Sequence, residues 1–87
     1  MDRTNQEWLQ ERYGVDEDMI FSDGLDSAII GLAERCGMPS VVSYDWDKIV
    51  EAFVADGMTD EEAIEYIDFN ILGGYIGEHT PIIVKGL

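Results

Sequence analysis

Basic residues are scarce in this chain. Five Lys and Arg stand against nineteen Asp and Glu, a net charge of −14. Direct binding to a nucleic-acid backbone or an anionic membrane face is disfavoured, because both repel such a chain. The expected partners are basic: a protein surface that normally holds nucleic acid, or cations. Adaptation to high salt is another route to this composition. Cysteine is nearly absent too. Cys36 is the only one, which excludes an internal disulfide and fits a reducing cytoplasm. No apolar run approaches the roughly 18 residues of a membrane span. No basic stretch followed by an apolar run opens the chain, so no secretory leader is expected. Internal repeats, low-complexity tracts and Pro/Gly/Ser linkers are also missing.

What remains is enough for a fold. The chain has 87 residues, of which 46% are hydrophobic, including two Trp, four Tyr and three Phe. That length reads as one domain, 1–87, with an N-terminal helix and connector over 1–18 and an α+β core over 19–87. A chain of this size buries somewhat above roughly 60% of the surface its unfolded form exposes. The apolar content argues against disorder despite the charge.

Local signals place the elements. Thr4-Asn5-Gln6-Glu7 has the form of a capping box, and Gly14 supplies a stop, predicting a helix over 5–13 with Trp8, Leu9 and Tyr13 near one face. Met19-Ile20-Phe21 before Ser22-Asp23-Gly24 predicts a short strand at 19–22. Residues 25–37 carry two readings. Asp26 or Ser27 could cap a helix that Gly37-Met38-Pro39 ends, or Ala28 to Ala33 could form a buried strand. Ser40 to Tyr44 is β-branched and aromatic, hence a strand, and the short link before it favours strand–loop–strand. Asp45 suits an N-cap for a helix over 46–56, whose apolar stripe is Trp46, Ile49, Val50, Phe53 and Val54. After Gly57, Thr59 and Glu62 make a second capping box, with Met58 and Ala63 as a staple, for a helix over 60–71. There Ala63, Ile64, Ile67 and Ile71 face inward. Residues 73–79 form a glycine-rich turn, and 80–84 a closing strand begun by Pro81.

The acids are the most informative feature. Glu61 and Glu65 lie four apart, and Glu65 and Asp68 three apart, on the outer side of the second helix. Asp47 and Glu51 repeat the arrangement on the first. Like charges at these spacings each destabilise a helix by roughly 0.2–0.5 kcal/mol. Asp60, Glu61 and Glu62 suit the helix dipole by about 0.3–1 kcal/mol each, but Glu65 and Asp68 lie too far along for that. Two readings follow: a face that only solvates the protein, or an anionic docking surface. Four residues of helix rise about 6 Å, so such carboxylates form a regular row. Rows on two helices could present charge as a phosphate backbone does.

Other motifs point to little chemistry. Gly73-Gly74-Tyr75-Ile76-Gly77 is not a dinucleotide loop, and no Walker A sequence occurs. Asp45-Trp46-Asp47 could hold a divalent metal, but a cap followed by a first-turn acid explains it as well. Asp16-Glu17-Asp18 and Asp23/Asp26 do not fit an EF-hand. His79, the only histidine, would need Cys36 or a serine and an orienting acid for nucleophilic catalysis; nothing local supports such a set, and a loop His beside Glu78 reads as surface. Cys36 reads as a small buried hydrophobe, and Trp46 and Phe53 as core.

Several blocks together carry a resemblance. They are Asp23 to Gly31, Glu34-Arg35-Cys36-Gly37, Tyr44 to Lys48, Asp56 to Thr59, Glu62 to Tyr66, Phe69 to Gly73 and Gly77 to Pro81. In this order they look like a group of small bacteriophage proteins without an established activity. The resemblance covers about residues 20–84, and the N-terminal helix lies outside it. It implies a host-cytoplasm setting and a protein that acts by binding another protein. No catalytic or binding residue carries over from it.

The expectation is therefore an α+β fold, a small antiparallel sheet packed against two consecutive helices plus a short N-terminal helix. The expected function is non-enzymatic binding of a host or phage protein, as an acidic inhibitor or nucleic-acid mimic. Asp47, Glu51, Glu61, Glu65 and Asp68 are the expected contacts, with no cofactor and no metal. The alternatives are a small metal-dependent or accessory enzyme around Asp45, Asp47 and His79, and an assembly protein that self-associates through apolar surface.

Overall fold

The computed structural model describes residues 4–14, 19–22, 24–72 and 77–86, with backbone alone at 71 and 72. The expected acidic segment at 16–18, Asp23, the inward side chain of Ile71 and the turn at 73–76 lie outside the described residues.

Helix α1 spans Asn5–Tyr13 and begins as the capping box requires. The Thr4 hydroxyl accepts from the Glu7 backbone N–H, and the Glu7 carboxylate accepts from the Thr4 N–H. It ends at Gly14, whose φ of 65° is the left-handed cap that costs glycine nothing. Of its expected apolar face only Leu9 is buried; Trp8 and Tyr13 are exposed.

The segment Met19 to Ser22 is not a strand. Its apolar side chains Met19 and Phe21 do pack on the core. One of its backbone donors, the Ser22 N–H, goes to the buried Tyr44 hydroxyl at 2.8 Å rather than to a neighbouring strand. A side chain thus takes the place a strand partner would fill.

Both readings of 25–37 hold a part of the answer. A 3₁₀ turn at Asp26–Ala28 leads directly into strand β1, Ile29–Ala33. Strand β2, Val41–Asp45, returns antiparallel, pairing Ile29 with Tyr44 and Ala33 with Val41. The register shifts between Ile29 and Gly31, so Ile30 is the extra residue of a bulge. The Ser43 hydroxyl donates to the Gly31 carbonyl at 2.9 Å beside it. Cys36, expected to be buried, is exposed, because it sits in the turn of this hairpin.

Helix α2, Trp46–Ala55, follows β2 without a loop. Asp45 occupies the N-cap position, but its side chain makes no capping bond. It is also the last paired residue of β2, opposite Val84, so strand geometry sets its backbone. Helix α3, Asp60–Tyr66, opens with the second capping box: Thr59 accepts from the Glu62 N–H, and Glu62 accepts from the Thr59 N–H. The helical path continues to Leu72, but as a π-helix over Ile67–Leu72. Ala63 and Ile67 are fully buried, whereas Ile64, expected to face inward, is exposed.

Strand β3, Ile82–Val84, then joins the far side of β2, giving the order β1-β2-β3. It pairs parallel to β2, so the sheet is mixed rather than antiparallel throughout. The connectivity explains this: α2, α3 and the turn to Leu72 stand between β2 and β3, and connections that contain helices are the type that joins parallel strands. The α+β class and the helix-on-sheet arrangement stand. The core lies between one sheet face and the helices, with Val42, Tyr44, Ile49 and Ile67 essentially inaccessible. Trp46 packs at its margin, with the Lys85 ammonium 5.2 Å from its ring centroid.

Candidate protein-docking surface

The five carboxylates singled out by spacing all lie on the surface. Asp47 and Glu51 are exposed on α2, Glu61 and Glu65 on α3, and Asp68 at the start of the π-helical turn. The two helices pack on each other, and Phe53 and Tyr66 meet edge to face there, with centroids 5.0 Å apart. Residues 45–68 hold nine carboxylates against Lys48 alone, a local charge of −8 out of −14.

Some described carboxylates outside this face have structural partners. Asp26 accepts from the backbone N–H groups of Asn5 and Gln6, both at 2.9 Å, so it caps α1 from the 3₁₀ turn before β1. The Asn5 side-chain amide returns a bond to the Asp26 carbonyl at 2.8 Å. These bonds offset donors that every helix start leaves open. Glu34 accepts from the Ser40 hydroxyl across the hairpin. Among the described residues, Asp47, Glu51, Glu61, Glu65 and Asp68 accept no hydrogen bond and join no salt bridge. The fold leaves their charge to the solvent or to a partner.

Spacing alone did not point to the apolar side chains among these acids. Phe69 is 80% exposed, the most exposed large hydrophobic described, and Tyr66, Val54 and Ile64 are each exposed by more than a third. The signal was present: Phe69 follows Glu65 by four residues and so shares its side of a helix. A second apolar area lies elsewhere. Trp8, Tyr13 and Ile30 are more than half exposed and line a cleft between α1 and the edge strand β1.

Asp45, Asp47 and His79, the residues of the enzymatic alternative, line none of the three clefts found among the described residues. The depression between the hairpin tip and 77–82 is lined by Glu34, Arg35, Glu78 and Thr80, and not by Asp45, Asp47 or His79. Among the described residues no three His, Cys, Asp or Glu side chains are grouped to hold a metal ion. Among them, too, no helix is long and apolar enough to cross a membrane. No protein-family model, no curated protein and no solved structure matches the chain.

Proposed function

We propose that this is a small phage-type protein of the host cytoplasm that binds a host or phage protein through the acidic outer side of α2 and α3. Its target carries a basic surface that normally holds nucleic acid, and occupation of that surface inhibits it. The observation that supports this reading is that Asp47, Glu51, Glu61, Glu65 and Asp68 have no hydrogen-bond or ion-pair partner among the described residues, at spacings that cost the helices stability. Charge kept at such a cost suits an external counter-charge. The binding chemistry needs neither catalysis nor a cofactor.

The test is affinity capture from a bacterial lysate at low and high salt, with the Glu61→Lys/Glu65→Lys/Asp68→Lys variant in parallel. The proposal expects a nucleic-acid-binding protein held by the wild type at low salt, released as salt rises, and absent with the variant. A catch that the variant retains, or that salt does not weaken, would overturn it.

A second reading, self-assembly, has its own observation in the exposed Trp8, Tyr13 and Ile30 beside β1. It expects association that strengthens with salt, as screening relieves repulsion between acidic copies. Sedimentation at two salt concentrations separates the two readings by the sign of the effect.

A further inference from the structure

The position of Phe69 adds a requirement to the partner. Glu65 lies two residues before the fully buried Ile67 and Phe69 two residues after it. Glu65, at about 100° per residue in α3, falls about 160° around the helix axis from Ile67, and two residues of the wider π-helical turn carry Phe69 to the same side, away from the core. Phe69 therefore stands on the line of Glu65, with Asp68 beside it in the chain, and 80% of its surface is open. No Lys or Arg occurs between Lys48 and Lys85 to interrupt this face. The exposed phenyl ring adds one apolar contact to a row that otherwise offers only charge.

Charge and ring together describe one kind of polymer. A duplex offers phosphate charge on its outside with the base faces stacked away. A single strand offers charge together with open base faces, and grooves that hold it pair cationic side chains with aromatic rings. We propose that Phe69 is the anchor of the acidic surface, and that the partner presents an aromatic ring flanked by cationic side chains, the chemistry of a single-strand groove. This rests on the docking reading above and narrows it: the target is a protein that holds single strands, not one that reads only duplex backbone.

The test uses two lysine-rich peptides of equal length and charge, one with tryptophan and one with alanine at the same interior positions. Binding to the full chain is followed by titration for the wild type, Phe69→Ala and Phe69→Trp. The tryptophan peptide is expected to bind about tenfold tighter, the scale of one base-on-aromatic stack. Phe69→Ala should abolish that preference while leaving the salt-sensitive binding of the alanine peptide in place, and Phe69→Trp should keep it. Equal affinity for both peptides, or a preference that survives Phe69→Ala, overturns the anchor and leaves the acidic docking surface standing. Failure of the wild type to bind either peptide removes the docking surface itself. Thermal melting of each variant checks folding, which the exposure of Phe69 predicts is unchanged.

Discussion

Helices α1 and α3 start alike and use their acids differently. Each opens with a threonine and a glutamate three residues later, closed in both directions. Around α1, the further acid with a defined role is consumed by the fold: Asp26 reaches the open N–H groups of Asn5 and Gln6 and ties the helix to the 3₁₀ turn before β1. Around α3, Glu61, Glu65 and Asp68 make no hydrogen bond or ion pair among the described residues. The same side chain is a structural part in one region and unspent charge in the other. Composition alone does not separate these roles. Partners do.

The comparison breaks if the fold fails to depend on the parts assigned to it. Ile49→Ala removes a side chain with no exposure from the centre of the core and should cost about 2–5 kcal/mol in urea denaturation. Asp26→Ala leaves two helix-start donors open and should cost about 1–2 kcal/mol. Asp26→Asn should recover part of that, since an amide oxygen still accepts. An Asp26→Ala protein as stable as wild type would erase the contrast with α3.

Smaller effects sharpen it. Thr4→Ala and Thr59→Ala each remove one capping box and should cost about 1 kcal/mol. The loss of helical signal should be larger for Thr59, because α3 continues into the π-helical turn whereas α1 stops at Gly14. Glu65→Lys should go the other way. It replaces two repulsions, with Glu61 and with Asp68, by attractions, and should stabilise by about 0.5 kcal/mol, less in high salt. A clear loss of stability in Glu65→Lys would mean that the acid serves the fold after all.

Much of this architecture was legible in local signals, and the failures share a cause. Capping boxes, Gly14, the α2 stripe and the β2 strand depend on neighbours within a few residues, so the chain states them directly. The parallel pairing of β3, the irregular 19–22 segment and the cap that Asp26 makes depend on groups about 20 or more residues away. Cys36 misled for a related reason: its residue type suggests burial, but its place in a hairpin turn decides otherwise. Of the candidate docking surface, the exposed carboxylates were readable from spacing. Phe69 shares the phase of Glu65, but a search for spaced acids passes over an apolar side chain.

The most direct test of the central claim is a heteronuclear NMR titration of the labelled protein with oligolysine at low and then rising salt. A docking surface on α2 and α3 predicts shifts concentrated at Asp47, Glu51, Glu61, Glu65, Asp68 and Phe69, fading as salt rises. Shifts spread evenly over Glu7, Glu11, Glu34 and Glu78 as well would mean that the acids only solvate the protein, and would contradict the account.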